Sequence, residues 1–281
     1  MALGMKRQDT IIYWVKFFIL LAMLAVYFLP LISMFITSIK TRGELFVFPP
    51  VFWPETPQWQ NYRLAWTMID YPKYVVNSLI LALFYTVPCL LGSSFVGYGF
   101  SRFKVKANKY LFPMVLSTLM IPPIVTIIPL YLILRNTPLV NNHMFWIIWG
   151  IQGTPFLIFL FKQYFSTIPI SYEESARLDG AGRFQIFFSI MMPLVQSAFI
   201  ISAIFAFNWV WSDYLMPVMM LRGDRVNLAV RLATGYSDVQ DNMLYNIGMA
   251  GIVYYTLPIV ILFFTLQKRF ISGITAGGLK G

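Results

Sequence analysis

The chain has 281 residues, of which 58% are hydrophobic and only 11% are charged, and its formal net charge is +10. A soluble domain carries about a quarter charged residues, so this composition excludes the soluble globular class and indicates a membrane protein. The single cysteine, Cys89, excludes both a disulfide framework and a cysteine-based zinc cluster.

Six apolar runs are long enough to cross a bilayer, whose hydrocarbon core requires about 20 apolar residues. The first run follows Lys6 and Arg7, but it has no small-residue cleavage site and is too long for a signal peptide, so we expect it to be retained. The predicted fold class is therefore an all-α membrane protein with six transmembrane helices. The expected spans are residues 17–36, 75–100, 110–134, 144–161, 194–219 and 247–266.

The distribution of Lys and Arg predicts how the spans are oriented. Loop 101–109 holds four basic residues, whereas loop 135–142 holds only Arg135. Because short cytoplasmic loops carry the excess of Lys and Arg, loop 101–109 is expected in the cytoplasm. Most of the basic residues lie on that side, so the net charge reflects topology and lipid surface charge and requires no nucleic acid partner. Alternation then puts both termini and segment 169–193 in the cytoplasm, and loops 40–73 and 222–246 outside.

Glycine and proline mark the second and third spans. The second span holds three glycines that predict close helix packing. Prolines predict kinks in the third span, and kinked helices are tolerated where they line a cavity, so cavity lining and plain packing both stay open there. The residues are Gly92, Gly97, Gly99, Pro122, Pro123 and Pro129.

Segment 169–193 lies between two apolar runs but carries five charged side chains. Because a charge in the hydrocarbon core costs kilocalories, the segment is expected to lie in water. The charged residues are Glu173, Glu174, Arg177, Asp179 and Arg183.

The local chemistry of this segment predicts two short helices with a break between them. Ser171 followed by Glu174 is typical of a capping box at a helix start. Gly180 and Gly182 allow a left-handed stop. A second amphipathic turn then leads to Pro193, which is favoured near a helix start. The sequence therefore predicts a compact helical knob on the membrane surface.

The spacing within the knob follows a known pattern. Glu174-Ser175-Ala176 is followed after three residues by Gly180 and, nine residues further on, by Ile190-Met191-Met192-Pro193. This arrangement resembles the EAA loop of ABC-importer permeases, in which EAA, three residues, glycine and nine residues precede I-x-L-P. Ser175 stands for the first alanine and Met192 for the leucine. The LDGA sequence at 178–181 and the position between two spans strengthen the resemblance.

Other segments resemble one branch of that family, the carbohydrate importers of the maltose/maltodextrin type, and within it the shorter, six-span permease subunit. The resemblance covers nearly the whole chain from the first span onward. Ser212 departs from the Asn often found at that position, so no ligand contact is carried over there. The segments are 120–123, 128–131, 155–156, 211–217 and 273–281.

The resemblance implies a fold, partners and a location. The fold is the type I ABC importer transmembrane fold, with one transmembrane domain over 1–281, a five-span permease core over 73–267 and a cytoplasmic coupling loop over 169–193. The partners are a second homologous permease subunit, two ABC ATPase subunits, an extracellular solute-binding protein and the lipid bilayer. The location is the cytoplasmic (inner) membrane of a prokaryote, with multiple passes and both termini cytoplasmic.

The resemblance also implies roles for the knob. It docks in a cleft of the ATPase, and Glu174 faces a basic residue there. Gly180 permits the chain reversal, and Asp179 caps or braces the same turn. The residues expected to couple to the ATPase are Glu173, Glu174, Ser175, Ala176, Asp179, Gly180, Ala181 and Pro193.

A second residue set is a candidate for lining the substrate path. Its aromatic members suit stacking on sugar rings, but near the outer boundary they also suit an interfacial aromatic belt, which we prefer. Asp213 is the main ionisable residue within the spans. The set comprises Asn77, Tyr85, Trp209, Trp211, Asp213 and Tyr214.

Missing motifs restrict the function. The sequence has no G-x-x-x-x-G-K-[ST] phosphate loop, so the chain is expected not to hydrolyse ATP, and ATP and Mg are expected on partner subunits. No catalytic residues, metal ligands or bound cofactor are predicted. The predicted function is import of a sugar or oligosaccharide. The alternatives are a stand-alone channel or secondary carrier, a membrane-embedded enzyme, and an ABC importer for glycerol-phosphate-like polyol derivatives.

Overall fold

The chain folds almost entirely into helices. A computed structural model describes residues 2–238 and 240–278, with side chains for 10–238 and 240–267, and within these residues the only bridge between extended segments joins Ser237 and Met243. The α-helices are α1 (Ala2–Ser38), α2 (Gln60–Met68), α3 (Tyr71–Arg102), α4 (Asn108–Ser117), α5 (Pro123–Leu134), α6 (Phe145–Ile151), α7 (Pro155–Thr167), α8 (Ser171–Leu178), α9 (Arg183–Gln185), α10 (Met192–Leu194), α11 (Gln196–Trp211), α12 (Leu215–Met220), α13 (Leu228–Thr234) and α14 (Tyr245–Gly278).

Three described helices are long and apolar enough to cross a membrane on their own. They are Thr10–Ser38 within α1, Tyr71–Arg102, and Tyr245–Gln267 within α14. In the first of these, apolar side chains are exposed on every side, as expected for a helix surrounded by lipid. These helices contain the first, second and sixth predicted spans.

The other three predicted spans overlap helix pairs that bend at a short break, although the third pair begins at Arg183, within the segment predicted to be cytoplasmic. Asn108–Met120 and Pro123–Leu134 meet at 96°, Phe145–Ile151 and Pro155–Thr167 at 44°, and Arg183–Leu194 and Gln196–Trp211 at 82°. Counting each pair as one span gives six, which agrees with the predicted all-α class of six transmembrane helices.

The break in the third span has a local cause. A residue that precedes proline is sterically pushed from the helical to the extended region. Ile121 and Pro122 each precede a proline, and both are extended, with ψ of 115° and 130°. Pro129 instead lies inside α5. The proline pair therefore breaks the helix, as the sequence predicted for this span.

The predicted end of the fifth span is wrong. The sequence placed it at residue 219, but α11 ends at Trp211 and α12 begins separately at Leu215. Asp213 explains the interruption, because its Oδ1 accepts a hydrogen bond from Met216 N at 3.2 Å, at the start of α12. Such side-chain bonds favour helix starts over helix interiors.

The chain divides into two compact units, Met1–Ile69 with Thr234–Thr256 and Asp70–Ala233 with Leu257–Gly281. In the first unit, Asn61 Nδ2 donates to Ser38 O at 2.8 Å, and Tyr236 OH donates to Ala65 O at 2.7 Å. These buried bonds hold the loops around α2. The predicted division into a core over 73–267 and a coupling loop over 169–193 stays a prediction.

In the second unit, α3 packs against α6, α7 and α11. Glycine permits the closest approaches, since a Cβ on Gly97 would lie 2.7 Å from Phe161 Cβ and 2.9 Å from Ile158 O. Gly92 meets the backbone of Ile151 more closely still, whereas a Cβ on Gly99 would make an ordinary contact at 3.8 Å. The predicted close packing is confirmed at Gly92 and Gly97.

Candidate functional site

The predicted knob consists of α8, a tight reversal and a second helical segment. Gly180 ends α8 in the left-handed conformation, with φ of +85°. Gly180 N donates to Arg177 O at 3.0 Å and Ala181 N donates to Ala176 O at 2.9 Å, which is the Schellman pattern. The predicted left-handed stop is confirmed at Gly180. At Gly182 the prediction is wrong, because its φ is −71° and its backbone is extended.

The predicted capping box is also wrong. The residue before α8 is Ile170, which has helical backbone angles and forms no side-chain cap, and Glu174 N donates to Ile170 O at 3.1 Å. Ser171 is therefore already the first helical residue and lacks the extended backbone that an N-cap needs. Glu174 is exposed, and its carboxylate is not used to cap the helix.

Glu173 is the buried anchor of the knob, and its side chain is only 1% exposed. Its Oε1 accepts from Arg102 Nε at 2.5 Å, its Oε2 accepts from Tyr98 OH at 3.0 Å, and Arg177 Nη2 lies 3.5 Å from Oε2. Arg102 also donates to Ile168 O at 2.9 Å, before α8 begins. One carboxylate therefore fixes α8 to the end of α3.

Sequence reasoning did not predict this burial, because it expected all five charges of the segment in water. The partners of Glu173 lie 71 and 75 residues earlier in the chain. One signal in the sequence could have predicted the burial of Glu173. Glu173 and Ala176 are three residues apart, so they lie on the same face of a helix. Both are buried, at 1% and 7% exposure.

Aromatic side chains form the base on which α8 rests. The Tyr98 ring lies 5.3 Å from that of Phe165 and 5.2 Å from that of Phe187. Phe187 stacks on Phe95 at 4.3 Å. Ala176 belongs to the same buried cluster. Close packing of this kind resists deformation, so this aromatic cluster supports α8 rigidly.

A continuous helical run connects the knob to α11. It passes from α9 through a π-helical segment, Ile186–Met191, to α10. Pro193 is the middle residue of the three-residue α10, at the end of this run. Val195 then leaves the helical region, with φ of −103° and ψ of 24°, where the axis bends.

The outer surface of the knob combines acidic and apolar side chains. Leu178 is 89% and Phe184 is 74% exposed, and Glu174 and Ser175, which precede them in sequence, are exposed as well. A cavity of about 340 Å³ opens beside α8. Exposed apolar side chains of this size indicate an interaction surface. The cavity is lined by Ser171, Tyr172, Ser175, Ala176, Asp179 and Ile190.

The candidate substrate-path residues occupy different environments. Tyr85 and Trp211 are buried within the chain, at 5% and 0% exposure. Trp209 is 37% exposed and clusters with the rings of Phe156 and Phe205. Tyr214 is 39% exposed.

Two of these candidates contact the segment that follows α12. Asn77 Nδ2 donates to Asp224 O and to Val226 O, both at 2.8 Å. Asp213 O accepts from Asn227 Nδ2 at 2.7 Å. The structure therefore brings Asn77 and Asp213 to one stretch of chain, although they are far apart in sequence.

Other contacts of this stretch involve residues that the sequence did not assign to a site. Ser78 Oγ accepts from Leu228 N at 2.8 Å, and His143 Nε2 lies 2.8 Å from Arg225 O. Lys73 Nζ lies 2.7 Å from Asp224 Oδ2, and this hydrogen bond lowers the pKa of the exposed Asp224 carboxyl. Among the residues with described side chains, no three His, Cys, Asp or Glu residues are grouped to hold a metal ion.

Apolar spans with a rigidly mounted, exposed helical knob define a multi-pass membrane permease. The chain belongs to the family of binding-protein-dependent transport system inner membrane components, and the match covers residues 89–275. This match bears out the family predicted from the EAA-like spacing.

Curated relatives and a solved structure extend the similarity to almost the full chain. The arabinooligosaccharides transport system permease protein AraQ of Bacillus subtilis (strain 168) is 34% identical, over 94% of each chain. The maltodextrin transport system permease protein MalD of Streptococcus pneumoniae is 34% identical, over 79% of each. A bacterial ABC transporter involved in alginate import superposes with a TM-score of 0.79 at 22% identity, over 94% of this chain and 98% of that one. The ABC-importer transmembrane fold is thereby confirmed.

Proposed function

We propose that this chain is a permease subunit of an ATP-driven importer that moves a sugar or oligosaccharide into the cytoplasm. Its family supports an importer, and the names of its full-length relatives support a carbohydrate. The substrate arrives on an extracellular solute-binding protein. A second permease subunit completes the pathway, and two ATPase subunits bind ATP and Mg.

The observation that carries this proposal is the attachment of α8 to the end of α3 through a buried ion pair. Glu173 is buried and bound to Arg102, whereas the next residue, Glu174, is exposed. The exposed side, with Leu178 and Phe184, docks in a cleft of the ATPase. When the ATPase dimer closes, the knob moves as one body. Its motion reaches α3 through Glu173 and α11 through the helical run that ends at the bend.

We expect cytoplasmic positions for the N-terminus and for residues 104 and 280, because Lys and Arg favour the inner side. Lys104 is exposed, and Lys280 lies outside the described residues. In a Cys89→Ser background, a membrane-impermeant maleimide applied to intact cells should not label cysteine at either position. Thr56→Cys, on the loop predicted outside, is the matched positive control. Labelling at position 104 in intact cells would refute this topology.

We expect the purified chain to show no ATP hydrolysis, because its sequence lacks a phosphate loop. With its ATPase subunit, partner permease and binding protein in proteoliposomes, it should take up radiolabelled oligosaccharide only when ATP is supplied inside. A glycerol-phosphate-type polyol serves as the competing substrate. Uptake by this chain without the ATPase would instead identify a channel or secondary carrier.

A further inference from the structure

The loop between α1 and α2 carries a patch of exposed aromatic side chains. Residues 45–54 read LFVFPPVFWP and contain no charge. Four of their rings are largely exposed, and contiguous apolar patches of this kind mark interaction sites. The exposed fractions are 71% for Phe46, 91% for Phe48, 70% for Phe52 and 57% for Trp53.

Hydrogen bonds close the base of this loop. Gln58 N donates to Ile39 O at 2.7 Å, and Lys40 Nζ donates to Val51 O at 2.5 Å. The Glu44 carboxylate accepts from Thr41 N at 2.7 Å and Glu55 N at 3.0 Å, and these bonds lower its pKa. The loop is therefore a built structure with polar groups at its base and aromatic rings outside.

Arg42, which precedes the aromatic patch in sequence, forms an ion pair. Arg42 Nη1 lies 2.7 Å from Asp238 Oδ2, and this hydrogen bond lowers the pKa of Asp238 to about 2. The uncharged run 45–54 is therefore preceded in sequence by a compensated cation.

Ring contacts connect this loop to two span ends. Phe46 of the patch lies 6.4 Å from Tyr245, the first residue of the spanning segment Tyr245–Gln267. Trp59, which follows the patch in sequence, lies 6.2 Å from Phe35, in the last turn of the spanning segment Thr10–Ser38. Aromatic rings at span ends lie at the boundary between hydrocarbon and water. The patch is continuous with that boundary.

We propose that residues 46–53 insert into the headgroup–acyl boundary of the bilayer, as a second membrane anchor beside α1. The occupant of the patch is phospholipid, because the segment is uncharged, hydrogen bonds close the base of its loop, and its ring contact is to a span end. Burial of apolar rings at this boundary drives the insertion. The proposal does not depend on which solute the chain transports.

Electron paramagnetic resonance of the full-length chain tests the insertion. Spin labels are placed singly through Phe48→Cys and Phe52→Cys in a Cys89→Ser background, in nanodiscs of phosphatidylethanolamine and phosphatidylglycerol. Thr56→Cys, exposed on the same loop, is the matched control. We expect the ratio of oxygen to nickel-chelate accessibility to be several-fold higher at 48 and 52 than at 56. Equal ratios at all three positions would overturn the proposal.

A second arm separates lipid from a protein partner. The same measurement is repeated with a saturating amount of the cognate solute-binding protein. Unchanged values at 48 and 52 support lipid as the occupant. Labels that are open to the nickel chelate in nanodiscs alone, but become protected when the binding protein is added, overturn lipid insertion in favour of a protein contact.

Discussion

Substitution of Glu174 by Lys is expected to abolish uptake while the protein reaches the membrane at near-normal levels. Glu174 is exposed, and no ion pair to it occurs among the described residues, so folding does not depend on its charge. Loss of one partner from a desolvated charge pair costs about 2–5 kcal/mol, enough to release the ATPase. Retention of the ATPase subunit on affinity purification of this chain measures that loss.

The matched control is Glu55→Lys, which reverses another exposed carboxylate at a site remote from the knob in sequence. It should leave both uptake and ATPase retention unchanged. Charge reversal of the basic residue in the ATPase cleft should partly rescue Glu174→Lys. Normal transport by the Glu174 variant would show that the knob is an ordinary loop.

Gly180→Val tests the same docking surface through the backbone. A Cβ at Gly180 would meet nothing within 4 Å, so the substitution causes no clash. Its φ of +85° is nevertheless costly for a β-branched residue, by about 1–3 kcal/mol. Relief of that strain tilts the second helical segment away from α8, and uptake should again be lost. Gly182→Ala is the control, because that glycine has a φ of −71° and open space around it. Reversing the charge of the basic residue in the ATPase cleft should not rescue Gly180→Val, because the defect is in the backbone of this chain.

The sequence was sufficient where structure follows from local chemistry. The apolar runs predicted the spans, the Pro122-Pro123 pair predicted the break in the third, and Gly180 predicted the reversal after α8. Each of these depends on neighbours within a few residues, through hydrogen-bond geometry or steric exclusion. Such constraints are readable from one chain.

Prediction failed where distant partners decide the outcome. The segment was expected in water, but Glu173 and Ala176 on the inner face of α8 are buried against α3 and the aromatic base, and the predicted capping box at Ser171 is not formed. The fifth span was predicted too long for a different, local reason: its apolar composition conceals the hydrogen bond from Met216 N to Asp213 Oδ1, which starts a new helix.

Substitution of Glu173 by Ala is expected to uncouple ATP hydrolysis from uptake and to destabilise the chain. Removal of the carboxylate leaves the Arg102 guanidinium buried at 9% exposure without its ion-pair partner. Breaking a buried pair in this way costs about 3–5 kcal/mol. Thermal unfolding in detergent should report that loss, and reconstituted transporter should retain ATP hydrolysis while uptake falls sharply.

A double replacement, Glu173→Met with Arg102→Met, separates positioning from stability. Replacement of both charges by apolar groups removes the unpaired cation, so much of the thermal stability should return. Uptake should stay impaired, because the rigid connection between α8 and α3 is still missing. If uptake returns together with stability, Glu173 has only a structural role.

Arg177→Ala provides the control within the same carboxylate cluster. Its guanidinium lies 3.5 Å from Glu173 Oε2 but is 58% exposed, so solvent screens the pair. Exposed pairs contribute about 0–1 kcal/mol, and the variant should remain close to wild type in stability and in coupling. The contrast between Arg102 and Arg177 thus isolates the buried contact. An Arg177→Ala variant as uncoupled as Glu173→Ala would contradict this role, because the exposed partner would then be transmitting the motion of the knob.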